Sequence, residues 1–158
     1  CWDGGSEPGD LATAQASVYV LEGANGSFKE VARSQPFEFN AIRRQFLELQ
    51  IEAQSKDKFL VKVLLQSRGI GFFSYRFIER NNAWYLAGLD SSQASIHMEV
   101  GDKGVGDSRE ERSTNFLTGR SISKTFHANR LTSMERKKKD FQKFPLEQFE
   151  LFDPKHSE

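Results

Sequence analysis

The stretch 45–54, QFLELQIEAQ, constrains the fold more than any other part of the chain. Leu47, Leu49, Ile51 and Ala53 alternate strictly with Glu48, Gln50, Glu52 and Gln54. A strand points successive side chains to opposite faces, so this pattern builds a ribbon with one apolar and one wet face. A helix is the competing reading, because Ile42, Phe46, Leu49 and Ala53 recur at helical spacing. The alternation is longer and cleaner, and it predicts a strand. SKDK (55–58) reads as a polar turn. FLVKVLL (59–65) follows, with Phe59, Val61, Val63 and Leu65 on one face and Lys62 interrupting the other. Gly69 permits the next reversal. IGFFSYRFIER (70–80) is rich in aromatic and β-branched residues, which favour strands. Asn81-Asn82 suits a two-residue turn, since Asn tolerates the left-handed region. AWYLAGLD (83–90) returns the chain. Residues 45–90 therefore predict a four-stranded antiparallel meander.

The flanks carry weaker signals. SVYVLEGANGSFKEVA (17–32) reads as two short strands around Asn25-Gly26, a hairpin signal. Pro36 interrupts, and PFEFN (36–40) reads as an edge or a loop. SIHMEV (95–100) is a candidate fifth strand, with Ile96, Met98 and Val100 in register. GDKGVGDSREER (101–112) is a glycine-rich loop. NFLTGRSISKTFH (115–127) enters and leaves a turn at Thr118-Gly119. SMERKKKDFQKF (133–144) has no strong period and reads as a helical turn or an exposed arm. FPLEQFELF (144–152) places five large apolar residues in nine positions, so it packs back on the sheet or onto a partner. The fold class expected is mainly β, an antiparallel meander forming a small sandwich or curled barrel. The alternative is α+β, with residues 37–50 helical on a curved sheet.

A chain of 158 residues fits one domain and buries enough surface to fold without a disulfide. The domain expected spans 17–158. Its 19 aromatics, 14 of them Phe, supply a core. Acids and bases balance at 22 each, so no global charge draws the chain to nucleic acid or anionic lipid. The balance is segregated, however. Between Arg112 and Lys143 nine bases face two acids, a local net of +7. This basic segment and the apolar tail (112–152) form the expected contact surface, with Arg130, Arg136, Lys137, Lys138, Lys139, Lys143, Phe149 and Phe152 as its residues. The competing reading is a solvated basic edge that keeps a β-protein from aggregating.

Residue 1 is the chain's single cysteine. Two readings of the start are open: a fragment that begins there, or a chain cut immediately before the thiol. DGGSEPGDLATAQA (3–16) has three Gly, one Pro and Leu11 as its only large apolar residue. Such a composition cannot bury enough surface to order itself, so residues 1–16 are expected to form a flexible tether. A leading cysteine followed by such a tether resembles the mature form of bacterial lipoproteins, in which a lipid is attached to the cysteine thiol. The resemblance covers about 16 residues. It implies acylation of Cys1, a membrane anchor made of acyl chains, and a domain on the periplasmic side of the cell envelope. A single acyl chain anchors only marginally, at about 0.8 kcal/mol per buried methylene, and lipoproteins of this kind carry more than one. In that family an Asp directly after the cysteine often retains the protein at the inner membrane. Here Trp2 takes that place and Asp3 comes one later, which implies the outer membrane. No run of about 18 apolar residues is present to form a spanning helix.

Motifs for chemistry are sparse. His97, His127 and His156 are about thirty residues apart and make no metal-ligand spacing. Asp102 and Asp107 flank a glycine loop without the remaining EF-hand ligands. Ser91 and Ser92 follow Asp90 without a nucleophile elbow. Glu48, Glu52, Glu79 and Asp90 are the carboxylates from which an acid/base pair could be drawn. RKKKDFQKF (136–144) has the basic-aromatic texture of a nucleic-acid binder, against a total charge of zero. No catalytic residue, cofactor, metal or nucleic-acid partner is expected. The expected function is a non-catalytic module that binds another protein. In size, anchor and absence of a catalytic motif it resembles periplasmic lipoprotein immunity proteins, which block antibacterial toxins such as secretion-system phospholipases. The first alternative is an accessory subunit of an envelope secretion or assembly complex. The second is a carrier holding a lipid in a curled barrel lined by Phe59, Phe73, Tyr75, Phe77, Trp84 and Tyr85, for which an ordinary filled core is the competing reading.

Overall fold

The computed structural model describes residues 13–40, 46–66, 69–95 and 108–151. Their strands are β1 (Thr13–Ala16), β2 (Tyr19–Ala24), β3 (Ser27–Arg33), β4 (Phe37–Asn40), β5 (Phe46–Ser55), β6 (Lys58–Gln66), β7 (Gly69–Arg80), β8 (Ala83–Ser95), β9 (Ser108–Asn115), β10 (Arg120–His127) and β11 (Arg130–Lys138). β5 to β11 form one seven-stranded antiparallel sheet in chain order. β1 pairs with β4, and β2 with β3, as separate two-stranded ribbons. The architecture is mainly β and antiparallel, and the sheet does not close into a barrel.

The meander expected over 45–90 is present as β5 to β8. Two turns use the expected residues: Asn25-Gly26, in the β2–β3 hairpin, has φ of 50° and 78°, and Asn81-Asn82, between β7 and β8, has 54° and 60°. These positive angles match the right-handed twist of the flanking strands. No α-helix is found among the described residues, so the helical alternative for 37–50 gives way to β4 and β5. Thr13–Ala16, placed by the sequence at the end of the tether, pair as β1 along β4. Backbone pairing needs no apolar side chains, only a free edge. The candidate strand over 96–100 and residues 101–107 of the expected glycine-rich loop lie outside the described residues, as do Cys1 and Trp2. Residues 108–112, expected in that loop, are instead the first part of β9, paired between β8 and β10.

Residues 133–144 overturn the expectation of a helical turn or arm. Arg130–Lys138 is a full strand, set up by a turn at Ala128-Asn129 with φ of 47° and 62°. The strand shows no apolar period because all of its side chains are exposed. A similar effect blunts β5 at the other edge. Leu49 packs against the core, but Ile51 remains 54% exposed because the covering layer does not reach it.

The core lies on one face of the sheet. Phe59, Val61, Val63, Tyr75, Phe77, Leu86 and Leu89 form its floor. Val18 and Ala32 cover it from the β2–β3 side, where Val18 N–H donates to Ser34 Oγ at 2.9 Å. The C-terminal segment 139–151 covers the rest. Lys139 N–H donates to the Gly119 carbonyl at 2.8 Å, and Leu86 N–H donates to the Phe144 carbonyl at 2.8 Å. Phe116 makes edge-on contacts with Phe141 and Phe144 at 5.0 and 5.3 Å. Pro145 then bridges to Tyr85, and a short 3-10 turn (Leu146–Gln148) drives Leu146 and Phe149 inward. Both are fully buried. The Phe149 ring stands edge-on to Phe77 at 4.9 Å and Tyr75 at 5.0 Å, while Phe59 stacks on Phe77 at 4.9 Å. Each such pair contributes about 0.5–1.5 kcal/mol beyond area burial. Of the aromatics considered as a cavity lining, Phe59, Tyr75, Phe77 and Trp84 are packed into this core and Phe73 leans on it.

Two outcomes test this account. Phe149→Ala removes the ring that closes the core and lowers stability by about 3–5 kcal/mol in urea titration; a loss below about 1 kcal/mol would place Phe149 outside the core. Gly119 has φ of +70°, and a Cβ there would lie 2.0 Å from the Lys139 carbonyl oxygen. Gly119→Ala therefore pushes the strap off the β9–β10 turn, read as faster amide exchange at Lys139 and Leu86.

Candidate interaction edge

β11 has a single strand neighbour, β10. Its outer side presents a row of backbone donors and acceptors without a strand partner among the described residues. Register decides what stands beside that row. Arg136 lies opposite Ile122, and Lys138 lies opposite Arg120. Alternation along the strands therefore puts Arg120, Arg136 and Lys138 on one face. Directly opposed residues have Cβ atoms about 4.5–5.5 Å apart, and like charges there are destabilising. None of the three cations forms an ion pair among the described residues. Glu135, the acid of this strand, points to the other face and pairs with Lys137 at 3.0 Å.

The residues expected from the sequence divide into three groups. Arg130, Arg136, Lys137 and Lys138 are brought together on one exposed strand. Lys139 and Lys143 begin the strap instead. Their ammonium groups lie 5.8 Å from the Phe141 ring and 5.9 Å from the Tyr85 ring, within cation–π reach. Phe149 is a correction: its side chain fills the core and is not available to a contact surface, because the tail folds back on the sheet. Phe152 lies outside the described residues. Arg120 is the residue that sequence reasoning counted without placing. Its place opposite Lys138 depends on a bulge that shifts the β10–β11 register by one residue between Thr125 and Phe126, so the turn at Ala128-Asn129 alone does not give it.

The residues weighed for catalysis do not converge on this edge. Asp90 accepts hydrogen bonds from Arg76 Nη2 at 2.8 Å and Ser113 Oγ at 2.5 Å. Glu52 is paired with Lys62. His127 is exposed at the end of β10, while His97, His156, Asp102 and Asp107 lie outside the described residues. Among the described residues no three His, Cys, Asp or Glu side chains gather as metal ligands. The shifted acids lie elsewhere and are exposed. The Ser55 hydroxyl holds the Asp57 carboxyl below its ordinary value, and Arg33 does the same for Glu30. No family model, curated protein or solved structure matches the chain.

The like-charge contact makes a stability prediction. Lys138→Glu places a carboxylate opposite Arg120 and raises stability by about 0.2–1 kcal/mol. Thermal denaturation at low salt reads the gain, which fades as added salt screens the exposed pair. A loss of stability would show that Lys138 is required by the fold.

Proposed function

We propose that this chain is a non-catalytic binding module that takes an acidic protein partner along β11. The observation that carries the reading is the cluster of Arg120, Arg136 and Lys138 on one face beside an open strand edge. Lysines on an edge also block unwanted strand pairing. That purpose needs isolated charges and does not call for two cations set opposite one another, which works against the isolated fold. An acidic surface removes the repulsion, and the free backbone groups of β11 can add hydrogen bonds to the same partner. In this reading a lipid on Cys1 holds the module on the periplasmic side of a bacterial envelope, at the outer membrane. An antibacterial toxin and a subunit of an envelope secretion or assembly complex would present the same acidic chemistry, and the identity of the captured protein separates them.

The test is capture from envelope extract on the immobilised chain. The native surface retains an acidic protein, and Arg136→Glu with Lys138→Glu cuts retention about tenfold or more while the thermal transition is kept. Equal retention by both forms would exclude this edge. Intact-mass measurement of material from the native host reads the acylation of Cys1 independently.

A further inference from the structure

The large sheet has two free edges, and they carry opposite charge. β5 and β11 are its outermost strands. Neither has a second strand neighbour among the described residues, so each turns a row of backbone donors and acceptors outward. β11 holds Arg130, Arg136, Lys137 and Lys138 against Glu135, a net of +3. β5 holds Glu48 and Glu52 and no base, a net of −2. Glu48 is exposed and forms no ion pair among the described residues, while Glu52 pairs with Lys62. Register sets these charges at the ends of common rows. The face turned away from the core is concave around a trough of about 650 Å³. Across it Gln50, Lys62, Ser74, Asp90 and Ser113 stand in one row that runs on through Ile122 to Arg136. The next row starts with Glu52 on β5 and ends with Arg120 and Lys138. On the core face one row starts with Ile51, 54% exposed, and ends with Lys137. Seven antiparallel strands in chain order leave β5 and β11 running the same way.

We propose that copies of this chain associate head to tail, with β11 of one copy pairing in parallel with β5 of the next. The inference rests on the reading of β11 as an edge for acidic partners, and it names one. Charge decides against the two symmetric pairings. Two β11 strands together carry +6 and two β5 strands −4 in any register, whereas β11 with β5 carries +1. Like charges opposed across strands are destabilising. Running β11 and β5 antiparallel would turn the next copy over and move its Glu48 and Glu52 to the face away from Arg136 and Lys138. A copy carried sideways along the sheet keeps its faces and its strand direction. Continuing the rows then brings Lys138 beside the next copy's Glu52, and Arg136 beside its Gln50, between Glu48 and Glu52. Neighbouring strands stand about 4.8 Å apart, so these side chains touch. The same contact relieves the repulsion between Lys138 and Arg120. On the other face the stem of Lys137 lies along the next copy's Ile51, the apolar side chain that the covering layer does not reach. Such a contact leaves β11 free at one end and β5 at the other, so the assembly grows as a row and does not stop at a dimer.

The test is sedimentation velocity of the full chain under reducing conditions, over rising concentration. The sedimentation coefficient is expected to rise past that of a dimer and to fall as added salt screens the edge charges. Two neutral variants locate the contact: Glu48→Gln with Glu52→Gln on β5, and Arg136→Gln with Lys138→Gln on β11. Each alone weakens association about two- to thirtyfold and keeps a cooperative thermal transition, because none of the four side chains is buried. Mixed in equal amounts, one variant offers a native β11 and the other a native β5, so the mixture recovers the native affinity and forms dimers. A chain that stays monomeric to about 1 mM, association unchanged by the β5 substitutions, or a mixture no tighter than either variant would overturn the proposal. The β5 variant keeps β11 intact, so its retention of an acidic protein from envelope extract reads the binding of other partners independently of self-association.

Discussion

The seating of Leu146 and Phe149 against the middle of the large sheet is the contact on which the structure depends. Phe59, Val61, Val63, Tyr75, Phe77 and Leu89 would otherwise form an open apolar face in water. At about 25 cal/mol per Å² of apolar surface, leaving such a face uncovered is not compatible with a stable fold. The β2–β3 ribbon covers only part of it. The strap covers the remainder and is held by its backbone as well as its side chains. Phe144 accepts from Leu86, and the Glu147 carbonyl accepts from the Gln35 amide at 2.6 Å. The last bond joins the strap to the N-terminal part of the cover, so the two halves of the second layer support each other.

Closing one face this way leaves two surfaces of different chemistry. The tail is spent on the core side, and among the described residues no element lies over the concave face. The seven strands run in chain order, so the last of them, β11, ends the sheet with a free edge. The basic run, expected from the sequence to share a contact surface with the tail, is therefore separated from it. Phe149 points inward while Arg136 and Lys138 point out beside Arg120. Gly88 lies opposite Arg76 on this face: a Cβ there would lie 3.1 Å from the Thr114 carbonyl oxygen and 3.4 Å from the Arg76 guanidinium, which reaches across to Asp90. That ion pair is about 40% exposed on each side, so it orients Asp90 more than it stabilises the chain.

What was legible in the sequence depended on whether burial left a period. β6 and β7 are buried along one face, and their alternation and aromatic content announced them. The Asn-Gly and Asn-Asn turns were legible because left-handed backbone selects few residues. β11 was not, because an edge strand exposed on both faces has no apolar alternation to display. Its turn hides as well, since Ala128 is an unusual residue to hold a φ of 47°. The charge of Arg130, Arg136, Lys137 and Lys138 could be counted. That Arg120 belongs beside them could not, because cross-strand neighbours are fixed by register and not by distance along the chain.

The sequence by itself determined a mainly β, antiparallel chain, the meander at its centre, two of its tight turns and the segregation of its positive charge. These follow from local rules: side-chain alternation, positive φ at Asn and Gly, and residue counts. Tertiary structure alone decided that Phe149 is core, that the basic run is an edge strand, and that five polar side chains from five strands fall into one row. Each of these depends on strand register and on which layer covers which face, and both are set by long-range packing that no short window of sequence contains.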